Sequence, residues 1–124
     1  MGLVGEYHHL PALKQCQYAE AAAVCDINDE KAKAMAERFS IPRYFTNYEQ
    51  VLADESIDAV LIATPNFLHK AQAIAAAKAG KHVLVEKPMA LNLNECREMI
   101  DACENASVTL MVAHHLRFKD CAVA

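Results

Sequence analysis

Apolar residues along this 124-residue chain follow two alternating patterns. Ala21 to Cys25 and Ala59 to Ala63 are unbroken apolar runs, and His82 to Val85 and Thr109 to Ala113 are short runs of the same kind. Such runs suit strands of a parallel sheet covered on both faces, because neither face alternates with solvent. Between them the apolar positions change to helical spacing. Ala32, Met35, Ala36 and Phe39 share one helix face, Leu68 to Ala79 is an alanine-rich helix, and Leu93 to Asn105 carries Met99, Ile100 and Cys103 on one side.

Punctuating residues fall where this reading needs them. Asn28 can cap the helix that follows it, and Asn47 with Gln50 and Asn92 with Glu95 resemble capping boxes, the first of them before a helix containing Val51 and Leu52. Pro42 bars continuation of one helix, Gly80 closes another in left-handed geometry, and Pro65 ends a strand by removing a ladder donor. Tyr44 to Thr46 reads as a short edge strand. At the start, Gly2 to Gly5 reads as a strand stub entering a glycine turn, and Leu10 to Cys16 as a helix with Leu10 and Leu13 inward and Pro11 in its first turn. The alternation predicts an α/β fold, a doubly wound parallel sheet with its first strand abbreviated, in a single domain over residues 1–124.

Composition narrows the function classes. With 54% hydrophobic and 23% charged residues the chain reads as globular, and a net charge of -4 with scattered Lys and Arg offers no footprint for nucleic acid. No run approaches the roughly 18 apolar residues of a membrane span. The first residues lack a basic-then-apolar leader, and Glu6 breaks the myristoylation pattern begun by Gly2, so a cytoplasmic location is expected. The five cysteines contain no CxxC pair, and Cys96 and Cys103, seven apart on one helix, read as small core residues, so no metal site is expected. The pairs His8-His9 and His114-His115 each read as one side chain inward and one outward.

Polar chemistry gathers after the apolar runs. Asp26 follows the first, Thr64-Pro65-Asn66 the second and Glu86-Lys87-Pro88 the third, and in an open parallel sheet the carboxyl edge of the strands is where ligands bind.

These segments carry a family likeness. ATPNFLH at 63–69 and AGKHVLVEKP at 79–88, at this separation and followed by VTLMVAHHLRF, resemble the N-terminal half of the Gfo/Idh/MocA NAD(P)-dependent oxidoreductases, named for glucose-fructose oxidoreductase and inositol dehydrogenase. The likeness runs from Leu10 to Phe118. It implies a Rossmann domain that binds a dinucleotide, followed by a larger α/β domain that contacts a sugar, polyol or related CH–OH or carbonyl substrate. Under it, Asp26 matches the acid that bonds the adenosine ribose hydroxyls, where a carboxylate repels a 2'-phosphate and favours NAD over NADP. Thr64, Pro65, Asn66 and His69 match the loop beside the pyrophosphate and the nicotinamide-side ribose. Glu86 and Lys87 match the pair near the nicotinamide, with Lys87 positioning the reacting hydroxyl or carbonyl and tuning proton transfer. Pro88 matches a proline that often lies in a cis peptide, and Arg117 matches the point where the family chain crosses into its second domain. Plainer alternatives stand beside three of these: Asp26 as an acid favourable to a helix dipole, Lys87 as a solvated lysine, His69 as a lining of the helix start.

Two departures qualify the resemblance. The family's GxGxxG is reduced here to GLVGEYHHLPAL, in which Gly5 stands for the first glycine and the others are missing; the chain has three glycines in all. Glu6 then falls where a pyrophosphate expects backbone donors, so dinucleotide affinity is expected to be much reduced or lost. The chain also stops at Ala124, before the family's substrate domain and its acid–base histidine. Alone, it is expected to be inactive, to need a second domain for substrate, and to self-associate through apolar surface that such a domain would cover. A non-catalytic Rossmann-like module is the competing reading.

Overall fold

The computed structural model describes residues 5–118, and the chain divides after Ile57 into two compact units. The expected strand stub at Gly2 to Gly5 lies outside the described residues apart from Gly5, as does Cys121.

In the first unit, Gly5–His9 forms a π-helical turn that runs directly into α1 (Leu10–Gln15). His9 already has helical torsions, φ -72 and ψ -48, so no extended loop separates the two. Then come β1 (Val24–Cys25), α2 (Asp29–Phe39), β2 (Tyr44–Phe45) and α3 (Tyr48–Ala53). The strands pair in parallel, Val24 beside Tyr44 and Cys25 beside Phe45, with Asp26 N–H donating to the Phe45 carbonyl at 3.1 Å. The strand expected from Ala21 to Cys25 is therefore only two residues long. A ladder extends only as far as its partner, and Ala21 to Ala23 stand half-buried outside this one.

Capping follows the sequence closely here. Asn28 Oδ1 accepts the Lys31 N–H at 2.9 Å, satisfying an otherwise orphaned donor of the first turn of α2. Ser40, at φ 58, ends the helix two residues before Pro42. Ala32, Met35 and Ala36 are buried on one face, and Met35 and Ala36 join Leu10, Val24 and Ile41 in the core of this unit, with Ala21 and Phe39 packed against it.

The second unit holds β3 (Ala59–Ile62), a 3-10 turn (Asn66–Leu68), α4 (His69–Lys78), β4 (His82–Val85), α5 (Leu93–Asn105), β5 (Leu110–Val112) and a final 3-10 turn (His115–Phe118). Its sheet runs β3-β4-β5 with every pairing parallel, Ile62 beside Val85 and Val85 beside Val112. Both β4 and α5 have the bounds the sequence predicts. Ala73, Ala76 and Ala77 of α4 and Val85 of β4 are wholly buried, so the side chains on the covered face of α4 include three methyl groups. Gly80, at φ +74, closes α4, and Lys81 N–H reaches back to the Ala76 carbonyl at 3.0 Å. Asn92 Oδ1 accepts the Glu95 N–H, and Glu95 returns a carboxylate to the Leu91 N–H instead of that of Asn92, a capping box displaced by one residue.

Three expectations need correction. Met99 and Cys103 are buried but Ile100 is 41% exposed, because one residue further along a helix turns the side chain about 100° away. His114 and His115 are both exposed, since β5 ends at Val112 and strand alternation no longer governs them. Gly5 opens a helical turn instead of a glycine turn, there being no second glycine before Leu10 to hold the chain in an open loop. Among the described residues no helix is long and apolar enough to cross a membrane.

Candidate functional site

The parallel register of β3 and β4 brings two polar turns side by side at one end of the second sheet. Glu86 N–H donates to the Ile62 carbonyl at 2.9 Å, carrying the ladder one residue beyond the strands. Past that bond the chain sorts its side chains by depth. Glu86 is 6% exposed and His69 1%, Thr64 is half-buried, and Pro65, Asn66, Phe67, Lys87 and Pro88 are exposed.

The buried layer holds the exposed one in place. His69 Nδ1 lies 2.9 Å from the Pro88 carbonyl oxygen, and Nε2 lies 2.9 Å from that of Thr64. The Thr64 hydroxyl donates to Gln72 Oε1 at 2.6 Å. His69 and Gln72 are three residues apart on α4, so one helix face grips Thr64 by both its carbonyl and its hydroxyl. Glu86 Oε2 accepts the Lys87 N–H at 3.0 Å, and the Lys87–Pro88 peptide is cis. The Lys87 side chain thus projects from a backbone fixed on both sides. Gln72 was missed at the sequence level, although its place one helical turn after His69 was a usable signal.

The acid of the first unit stands at the carboxyl end of β1. Asp26 Oδ1 accepts the Asn28 N–H at 3.0 Å, while Oδ2 is 3.4 Å from Lys31 Nζ. Burial, with the Asp26 carboxylate acting in the same direction, pushes the Cys25 thiol up, and burial likewise raises the Tyr48 phenol. Both are neutral near pH 7. Gly5 is buried at the head of its helical turn, and Arg117 is exposed on the last 3-10 turn.

These donor sets test what the strand ends could hold. An acid closing β1 fits ribose hydroxyls, and an exposed amide and ammonium at the ends of β3 and β4 fit the polar half of a nicotinamide nucleotide. The segment that would wrap a pyrophosphate does not fit, because it is helical from Gly5 onward.

The family described as "Oxidoreductase family, NAD-binding Rossmann fold" matches residues 1–114. The chain belongs to that family. It is 42% identical to D-xylose 1-dehydrogenase (NADP(+)) 2 of Haloferax volcanii over 93% of this chain and 35% of that protein. To 1,5-anhydro-D-fructose reductase of Ensifer adhaerens it is 41% identical, over 79% of this chain and 29% of the other. Among solved structures, the WlbA dehydrogenase from Bordetella pertussis in complex with NADH and UDP-GlcNAcA superposes with a TM-score of 0.90 at 34% identity, covering 98% of this chain and 37% of that one. The chain therefore spans about a third of the length of the relatives it matches. Its fold is the Rossmann-like α/β arrangement of parallel strands and helices that the sequence predicts, the arrangement that this oxidoreductase family describes as its NAD-binding Rossmann fold.

Proposed function

We propose that this domain holds NAD in preference to NADP for an oxidoreductase acting at a CH–OH or carbonyl carbon of a sugar or polyol, with Lys87 at the reacting end. The observation that carries the reading is the exposed Lys87 side chain on a backbone clamped by Glu86 and by the His69 contact to Pro88. A bound dinucleotide would supply the hydride chemistry. The chain's own part is to present the Asp26 carboxylate to ribose hydroxyls, Thr64 to Asn66 and Lys87 to the nicotinamide side, and an ammonium that orients a substrate oxygen and shares its proton. His69 and Glu86 act from beneath.

The preference for NAD rests on charge. The Asp26 carboxylate would repel a 2'-phosphate, and Lys31 at 3.4 Å tempers that repulsion without removing the acid. Relatives of both kinds exist, one named for NADP(+) and one seen with NADH. Substrate contacts and turnover are proposed to involve chain beyond the third of the relatives' length that this domain matches. Exposed Leu91, Leu93 and Leu116 are surfaces through which it would self-associate.

A second reading, a non-catalytic module that binds cofactor poorly, is favoured by the helical start at Gly5. Losing two or three charge-assisted backbone bonds to a pyrophosphate is a loss of roughly 3–6 kcal/mol, enough to move a micromolar dissociation constant to about 0.1 mM or weaker. Isothermal titration with NADH and NADPH decides the matter. Weak NADH binding, with NADPH weaker still, is expected. An absence of heat with either dinucleotide at millimolar concentration would establish the non-binding module, and tighter NADPH binding would overturn the assignment of Asp26.

A further inference from the structure

His69 is the most deeply buried polar side chain at the strand ends, and both of its ring nitrogens are already engaged. Its two partners are carbonyl oxygens from different turns: Thr64, after β3, and Pro88, after β4. A neutral imidazole carries one N–H and can donate to only one of them at a time, whereas a doubly protonated ring donates to both. In either form the ring is 1% exposed and spans the two turns, which leaves no ring nitrogen for a ligand. The residues on the rim above it, Asn66 and Lys87, are exposed.

We infer that His69 is a positioning residue: a buried pin that ties the turn after β3 to the turn after β4, fixing where Asn66 and Lys87 stand relative to one another without touching the cofactor. Gln72 seats the same pin, because its grip on the Thr64 hydroxyl holds the carbonyl that faces Nε2. Removing the ring nitrogens takes the shared polar partner from both carbonyls and frees each turn to move on its own, and displacement of a binding group by about 1 Å is costly. The consequence for cofactor affinity rests on the dinucleotide reading above; the pin itself does not.

The test uses the full chain with His69→Phe, which keeps ring volume and removes both ring nitrogens, and His69→Gln, which restores an N–H donor. Backbone amide spectra of the free proteins read the pin directly. The amides of Asn66, Phe67, Lys87 and Met89 are expected to shift or broaden together in His69→Phe and to recover in part in His69→Gln, while those of α2 stay in place. NADH titration below the melting midpoint of each variant should show binding weakened about tenfold or more per folded molecule in His69→Phe. The inference is overturned by a folded variant in which Asn66 and Lys87 do not move, or in which the melting midpoint falls while affinity per folded molecule is unchanged. If His69→Phe fails to fold, His69→Gln carries the same readouts. A parent chain that binds no NADH, with the two turns still moving in the variant, leaves the pin standing and removes the dinucleotide reading instead.

Discussion

His69 and Pro88 are nineteen residues apart, yet the imidazole Nδ1 of one stands 2.9 Å from the carbonyl oxygen of the other, below a rim that carries Lys87. This contact divides the motif-bearing residues into a supporting layer and a presenting layer. On the reading proposed above, cofactor and substrate contacts fall to the exposed members. Glu86 and His69 both hydrogen-bond to backbone atoms of these turns.

Asp26 should decide cofactor charge preference. Asp26→Asn keeps an acceptor for the Asn28 N–H but removes the repulsion felt by a 2'-phosphate. Competition between NADH and NADPH should shift toward NADPH by about tenfold, the scale of one charge–charge contact near a protein surface. An unchanged ratio would show that the acid does not face the ribose.

Two adjacent residues of α5 should separate core from surface. Met99 is wholly buried and Ile100 is 41% exposed. Met99→Ala should cost about 2–5 kcal/mol in urea unfolding, and Ile100→Ala under about 1 kcal/mol. Equal losses would mean that Ile100 is covered in solution, as self-association would bring about, and repeating the measurement across protein concentrations would detect that.

Asp54 should give the first unit an acid-dependent component of stability. Hydrogen bonds from the Ser56 hydroxyl and N–H hold its carboxyl below the ordinary 3.8, with the Arg43 guanidinium contributing further. A carboxyl lowered on folding adds stability that is present above the unfolded value and lost as pH falls through the folded one, so the loss lies below about pH 4. Urea midpoints for the parent and Asp54→Asn should differ at pH 6 and converge toward pH 2. Parallel curves throughout would show that the carboxyl is not ionised in this network.

The legible parts of this chain were those governed by local chemistry. The bounds of β4 and α5, the caps at Asn28, Asn47 and Asn92, and the left-handed closure at Gly80 all follow from residues within a few positions of one another. What failed depended on partners remote in sequence. Ala21 to Cys25 is apolar enough for a long strand, but its length is set by how much of β2 lies alongside. The burial of His69 could not be read from ATPNFLH, because half of its bonding comes from Pro88. His114 and His115 were placed by alternation that stops once β5 stops. Asp26, Asn66 and Lys87 were locatable because carboxyl ends of strands are predictable, whereas the division between rim and support depends on contacts between turns remote in sequence.

The three wholly buried alanines of α4 have a consequence for mutational tolerance. Ala73 is one turn beyond His69 on the same helix face, so methyl groups form part of the spacer between that helix and what it covers. Ala73→Val or Ala73→Leu would act like a shim driven beneath the helix, tilting the imidazole away from two carbonyls it now meets at 2.9 Å. Lesions at these strand ends can therefore arise at a residue with no polar atom in its side chain, and a screen confined to the polar rim would overlook them.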